Sequence, residues 1–401
     1  MIIQADTPSV SKALKNLETS LTRHGAWFHD NLSIICKNGL MHMEMDGPTT
    51  VNEPIMMVPE DLLIPLEGLN VFNQNDKLCC TPDKNVLSPA QCEIGQAVVD
   101  LFNETEKLKF HRNEYPFIKY QKSPELLEML MDGRSIHDQF KIKKSFLRKE
   151  EISMSEDEFV CWSYFQTRIL GRSDPQGNVT LYILPLVDCL DHDSQGDPFF
   201  FKDKKVLYVR NKQPYVYSRQ CYARYGTYDA LDTFLAYGFP DKNAPFVLSI
   251  PLIIDIPGHG VLNIESQAIR PTKHEIPPQL EDLKSFVPTL TKEESSDKFT
   301  ISYLFIPAIS FPQSMRRILM IIMRSFIGEN ASQEFLVEQV YRAEDIVLKS
   351  NIEFYKDIIS KTEENNAPQN LKDEIISVAE TQLTKLYKYH YNPDFFSTPN
   401  G

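Results

Sequence analysis

Apolar positions recur at two periods along this chain, and the period changes where the architecture is expected to change. In residues 8–24 (PSVSKALKNLETSLTRH), Leu14, Leu17 and Leu21 are spaced three and four apart, the mark of one helical face. Short strand-like pieces follow, LSIICKN, GLMHME and EPIMMVPEDLLI, divided by Gly, Pro and Asn. From about residue 85 to 172 the pattern is helical again. SPAQCEIGQAVVDLFNETEKL opens on a Ser N-cap with Pro at the first helical position. SPELLEMLMDG repeats that device and reaches a Gly suited to a C-cap, and Ser155 and Glu158 have capping-box spacing.

Strand signals return in VTLYILPLVD, KVLYVRN, PYVYSRQCYARYG and FVLSIPLIIDIP, which are rich in β-branched and aromatic residues. Residues 266–298 are rich in proline and charge and read as a boundary. Beyond them the chain is mostly helical: Leu336, Val340, Ala343 and Val347 share one face, and a final helix is expected over about 369–391. The order is short strands, a helical insert, more strands, then a helical lobe. That is an α+β chain whose sheet is split in sequence, with segments 1–84, 85–172, 173–265 and 266–401.

The chain has 401 residues, 42% hydrophobic and 24% charged, enough for more than one core. Its net charge of −13 argues against a nucleic-acid partner, which needs a basic footprint. The seven cysteines are irregularly spaced and form no C-x-x-C pair, which fits reduced thiols in a cytoplasmic setting. The most apolar run, MRRILMIIMRSFI (315–327), is short and holds three arginines, so it reads as a buried helix and no membrane association is expected.

Motifs for dinucleotide binding, P-loop chemistry, α/β-hydrolase nucleophiles and zincin metal binding are missing from the sequence. The stretch LPLVDCLDHDSQGDPF (184–199) gathers Asp188, Cys189, Asp191, His192, Asp193 and Asp197. A metal site, an acid/base pair and a polar loop share such a composition. The spacing does not suit a calcium loop, and no metal is assigned.

About thirty residues on comes SRQCYARYGTYDALDTFLAYGF (218–239), a strand ending in Tyr-Gly and then a helix ending in Tyr-Gly-Phe. Together the two stretches resemble the SET-domain methyltransferases, of the class typified by the Rubisco large-subunit lysine methyltransferase and the actin histidine methyltransferase. In that class an L-x-P-L-x-D-x-x-N-H segment precedes a Q-x-Y-x-x-Y-G strand and a helix ending in Gly-Phe. CKNGLMHMEMDGPTTVNEPIMMVPEDLLI looks like the opening glycine loop and its strands, and the Thr167–Arg168 pair like the family's cofactor arginine. The resemblance implies a SET β-fold split by a helical insertion, a helical substrate-binding lobe and S-adenosylmethionine as cofactor. It implies Tyr225 as the catalytic residue, and Gly39, Arg168, Asp188, Asp191 and His192 as cofactor-binding positions. It also implies a substrate channel with Tyr237, Leu170 and Tyr222 in its wall.

This sequence departs from the pattern in places. Asp191 stands where the family has Asn, replacing a donor and acceptor with an acceptor alone. Lys37 replaces the first loop glycine, and Ser218-Arg219 replaces Gly-Glu before the strand. Leu170 takes the place where the histidine-methylating branch has Asn, which favours a lysine target. The leading expectation is a monomeric methyltransferase acting on a folded protein; the rival is a SET-fold pseudoenzyme kept as an interaction module.

Overall fold

The fold is taken from a computed structural model that describes residues 1–135, 138–150, 154–173, 176, 178–197, 200–202, 206–210, 219–267, 280, 283, 286–292, 298–308, 314–328 and 331–391. The chain forms two compact units, one from Met1–Tyr115 and Ile152–Gly226, the other from Pro116–Glu151 and Thr227–Gly401. The helical stretch 85–172 read as one insert is therefore shared, with residues 85–115 and 152–172 in the first unit and 116–151 in the second.

The first unit is organised by a five-stranded sheet in the order Ile2–Ala5, Leu32–Lys37, Leu40–Met45, Arg219–Ala223, Asp191–Asp197. Its two halves come from opposite ends of the unit's sequence and meet where Met45 pairs with Arg219 and Met43 with Cys221. That is the split sheet expected from the pattern. Met41, Met43 and Met45 point inward, alternating with less buried His42 and Glu44. The helix Pro8–Arg23 starts with the Thr7 hydroxyl accepting the Val10 amide at 3.4 Å. It buries Val10, Leu14, Leu17 and Leu21, each worth about 1.5–3 kcal/mol against exposure. That helix packs beside Pro89–Glu104, whose capping box pairs Ser88 with Gln91, and a second box at Ser155 and Glu158 opens Glu156–Gln166.

CKNGL is a hairpin tip. Lys37 pairs with Leu40, and Asn38 and Gly39 between them have φ of 52° and 77°. A two-residue turn of this hand needs positive φ at both central positions, which is why Asn-Gly occupies it. A Cβ on Gly39 would run into the Thr105 carbonyl oxygen. The close approach that demands this glycine is thus with Thr105.

In the second unit, the helices Gln333–Glu364 and Gln369–Tyr391 pack side by side. Ser332 caps the first, accepting the Phe335 amide at 3.2 Å, and Leu336, Val340, Ala343 and Val347 are buried along it as their spacing predicts. Two expectations change. Ser123 makes no side-chain cap on Pro124–Met131, and that helix ends at Asp132, without a left-handed glycine. FVLSIPLIIDIP is two strands in different sheets, Phe246–Leu248 beside Phe305–Pro307 and Leu252–Ile256 beside Gly260–Ile264. The break between them is built by Asn351, whose side chain accepts the Ile250 amide at 3.0 Å, and by Pro251, which has no amide to give.

The centre of this unit is polar. The Arg134 side chain is buried, donating through Nη2 to Asp229 (2.6 Å), through Nε to Asp232 (2.6 Å) and through Nη1 to the Gly133 carbonyl (2.8 Å). Asp229 also accepts the Leu248 amide at 2.9 Å and the Gln382 side chain at 2.6 Å. Despite the burial that opposes ionisation, Arg134 and these amides hold the Asp229 carboxyl below its usual range. Burial, with Asp229 alongside, instead pushes Asp232 up to about 6. Arg134→Met should lower stability by about 3–5 kcal/mol, because it leaves carboxylates buried and unpaired; a denaturant midpoint within error of the parent would contradict this.

Candidate active site

The acidic stretch 184–199 adopts a definite path through the first unit as far as it is described. The strand Val179–Ile183 ends at Leu184-Pro185, and Leu186 turns with φ of 64°, a left-handed conformation costing a branched residue about 1–2 kcal/mol. Leu186 is fully buried, which holds it there. The turn throws Val187–Cys189 into one tight helical turn, and the chain then runs as the strand Asp191–Asp197. This strand lies parallel to Arg219–Ala223, with Asp191 opposite Tyr222 and both His192 and Asp197 opposite Ala223. The residues between bulge out and return, and Gly196 permits the crossing: a Cβ there would sit 3.2 Å from backbone carbons of Tyr222 and Ala223.

Tyr225 lies just past that strand. Its hydroxyl donates to the Leu190 carbonyl, and its amide donates to Nδ1 of His192 at 3.2 Å. An Nδ1 that accepts places the proton of the neutral ring on Nε2. Burial, reinforced by the Asp191 charge, pushes the Tyr225 phenol well above its ordinary range, so it stays neutral. Arg168 and Asp188 are close enough for their charges to be felt there too.

Arg168 follows the helix Glu156–Gln166 and lays its guanidinium 3.9 Å from the Tyr164 ring centre, four residues back. Among the described residues its hydrogen bonds leave from Nη1, to the Thr167 hydroxyl at 2.5 Å and the Tyr164 carbonyl at 3.2 Å. Its Nε is buried with no partner among the described residues, and so are Oδ2 of Asp188 and the Tyr164 hydroxyl. Arg168 and Asp188 form no ion pair with each other. The other Asp188 oxygen receives, among the described residues, the weak Cys189 thiol at 3.8 Å. A buried charged group with an unused hydrogen-bonding atom is costly unless something else satisfies it.

Asp191 keeps much of its surface exposed, but its carboxyl lies against protein. Burial pushes it above the usual carboxylate range, while His42, Lys107 and a 2.7 Å hydrogen bond from Gln220 pull the other way. Gln220 in turn accepts the Tyr222 hydroxyl at 2.9 Å, so Asp191, Gln220 and Tyr222 form one chain of hydrogen bonds. Leu170 sits in a separate three-stranded sheet opposite Tyr182, and Gly39 at the hairpin tip. Tyr237 belongs to the second unit, stacked on Phe239 and edge-on to Tyr228. The structure thus gathers Arg168, Asp188, Asp191, His192 and Tyr225, with Tyr222 linked through Gln220.

Two contributors carry no mark in the motifs, and a third, Gln220, is the first residue of the Q-x-Y-x-x-Y-G strand but has no role of its own in it. Tyr164 is signalled only by its i, i+4 relation to Arg168, and Gly196 only as a lone glycine in a polar strand. The chemistry open to the site is narrow. Burial raises the Cys189 thiol far above neutrality, which disarms it as a nucleophile. His192 already uses Nδ1 on backbone. Among the described residues no group of three or more His, Cys, Asp or Glu is placed to hold a metal. What remains is a cation and an anion with unused atoms beside a neutral, fixed phenol, an arrangement for binding and aligning a zwitterion.

No protein-family model matches this sequence, and no curated protein does. Among solved structures, the chain is similar to the SET domain of LSMT bound to lysine and AdoHcy, at 14% identity over 96% of this chain and 92% of that one, with a TM-score of 0.42. It is similar to Rubisco LSMT bound to AdoMet at 14% identity, covering 94% and 90%, with a TM-score of 0.41. Rubisco LSMT bound to sinefungin and monomethyllysine matches at 13% identity over 97% and 92%, also with a TM-score of 0.41.

The raised Asp191 carboxyl yields a pH prediction. A carboxyl whose folded pKa exceeds its unfolded value costs the folded state nothing below the unfolded value, and its cost develops as pH rises through the folded one. Asp191→Asn keeps an oxygen for Gln220 and removes the charge. Its melting temperature should exceed the parent's at pH 7, with the gain fading below about pH 4. A gain that persists unchanged at pH 3 would exclude Asp191 ionisation as its source.

Proposed function

We propose that this chain is an S-adenosylmethionine-dependent protein methyltransferase that modifies a side-chain nitrogen, lysine foremost, of a folded protein partner. The observation that carries the reading is the pair of unused buried atoms, Arg168 Nε and Asp188 Oδ2, within electrostatic reach of Tyr225. The amino-acid end of the cofactor carries one carboxylate and one ammonium, and this pair offers the complement of each. Arg168 would hold the carboxylate and Asp188 the ammonium, with His192 and the backbone of 187–192 beside them. When bound, the cofactor supplies an electrophilic methyl group on sulfonium.

The remaining work falls to the protein. Tyr225 donates its proton to the Leu190 carbonyl, which leaves its phenol oxygen the role of acceptor toward a substrate. It would take an N–H from the incoming amine and turn the nitrogen lone pair toward the methyl. Fixed dipoles of this kind need no reorganisation as charge moves, and exclusion of water strengthens them. The target lysine must arrive unprotonated, which partly apolar surroundings favour. Leu170, in place of the polar Asn of the histidine-methylating branch, supports lysine. In this reading the enzyme works as a monomer in the cytoplasm. The rival, an interaction module that has lost its cofactor, draws on Asp191, whose Oδ2 is occupied by Gln220.

Calorimetric titration with S-adenosylmethionine and its demethylated product separates the two. Binding of either is expected, and Arg168→Met should weaken it about 10–100-fold, the worth of a hydrogen bond to a charged group. No heat from either titrant would leave the interaction module standing. In the binding-competent protein, Tyr225→Phe should slow methyl transfer to lysate proteins while changing cofactor affinity less than about threefold. Parent-like turnover in that variant would remove Tyr225 from the mechanism.

A further inference from the structure

The second unit contains a cavity of about 290 Å³ unrelated to the residues discussed so far, lined by Lys242, Ser377, Glu380, Thr381, Thr384, Lys385 and Lys388. Most of these come from one face of the helix Gln369–Tyr391, and Lys242 comes from the loop after Ala230–Tyr237. Clustered lysines are unexpected on a chain of net charge −13. Three of the lining residues are lysines and one is a glutamate.

Lys385 shows that the cluster is more than a solvated surface. It is only 5% exposed, and among the described residues its ammonium makes one hydrogen bond, 3.1 Å to the backbone carbonyl of Asp241. An ammonium has three protons to donate, so two are left over. Neither Lys385, Lys242 nor Lys388 forms an ion pair among the described residues. Glu380, although on the lining, forms no ion pair with any of them among the described residues. Burial lowers the pKa of Lys385, opposed by Asp229 and Asp241 and assisted by Lys388. A desolvated cation with spare donors beside a second cation is costly to maintain unless an anion visits.

The lining suits one ligand class. The Thr381 and Thr384 hydroxyls donate to carbonyls of their own helix, at 2.7 Å to Ser377 and 2.8 Å to Glu380, whereas the Ser377 hydroxyl makes no hydrogen bond among the described residues. Ammonium groups act as unoriented point charges, a good match for a compact dianion with several acceptor oxygens. The volume lies at the small end for ligand sites, enough for a phosphoryl group with at most a small organic substituent. From these observations we infer that the cavity formed by Lys242, Lys385, Lys388 and Ser377 is a binding site for a phosphoryl dianion. The inference is independent of the methyltransferase reading.

The test is a titration of the full chain with inorganic phosphate, followed by phosphorus NMR and calorimetry, against sodium chloride at matched ionic strength. Phosphate should bind saturably and chloride should not. The double variant Lys242→Gln, Lys388→Gln alters two exposed side chains, so its fold should survive, as thermal melting will verify. It should bind phosphate at least tenfold more weakly, and Lys385→Met should weaken it further. A parallel titration with glycerol phosphate identifies the source of the dianion: tighter binding than phosphate assigns the site to a small phosphomonoester, and equal or weaker binding to the free anion. Phosphate binding no stronger than chloride binding, or unchanged binding by the folded double variant, would overturn the proposal.

Discussion

A single guanidinium, that of Arg134, ties together parts of the second unit that are far apart in sequence. Through Asp229 it reaches the start of one helix, the end of the strand Phe246–Leu248 and, by way of Gln382, the long C-terminal helix. Tyr355 joins from the neighbouring helix through the same Gln382 side chain, at 3.3 Å. Apolar contacts elsewhere in the unit tolerate small displacements, whereas this cluster does not, because each donor there has a specific acceptor. The cluster sets the angles at which the apolar faces meet.

The first unit depends on a different constraint, the geometry of crossing chains. Its sheet is completed only when the segment after Leu186 passes along Arg219–Ala223, and the passage requires both the buried left-handed turn and Gly196. Strain at Leu186 and the unused atoms of Arg168 and Asp188 lie in the same neighbourhood. Local cost of this kind concentrates where a protein has something to bind.

Features decided within a few residues were legible in the sequence. The faces of Pro8–Arg23 and Gln333–Glu364 appear as spacings of three and four, and the boxes at Ser88 and Ser155 as a hydroxyl followed by an acceptor three positions on. Ser123 shares only the Ser-Pro start of Ser88, with Leu126 where an acceptor would stand, and it makes no cap. Asn38-Gly39 was legible as a hairpin turn, yet the resemblance drew it toward a ligand-binding loop. Of the site, Tyr225, Arg168, Asp188, Asp191 and His192 came from motif order, and the structure places them together. Tyr164 was not legible, and Gln220 was legible only as a motif position and not as the partner of Asp191, because both roles arise from contacts with residues already in place. The Arg134 cluster was hidden for the same reason: its partners stand about a hundred or more residues further along the chain.

The split sheet also bears on the order of events during synthesis. The hairpin of Leu32–Lys37 and Leu40–Met45 is complete long before Arg219–Ala223 leaves the ribosome. For that interval Leu40–Met45 is an edge strand, with three methionines on its inward face and its outer hydrogen-bonding groups unmatched. Helices such as Pro89–Glu104 and Glu156–Gln166 can form locally as they emerge, but the sheet must wait for its most distant members. The nascent chain is therefore most exposed to wrong pairing along that one edge. Its last protection is a strand that ends three residues short of Gly226, where the chain leaves the unit.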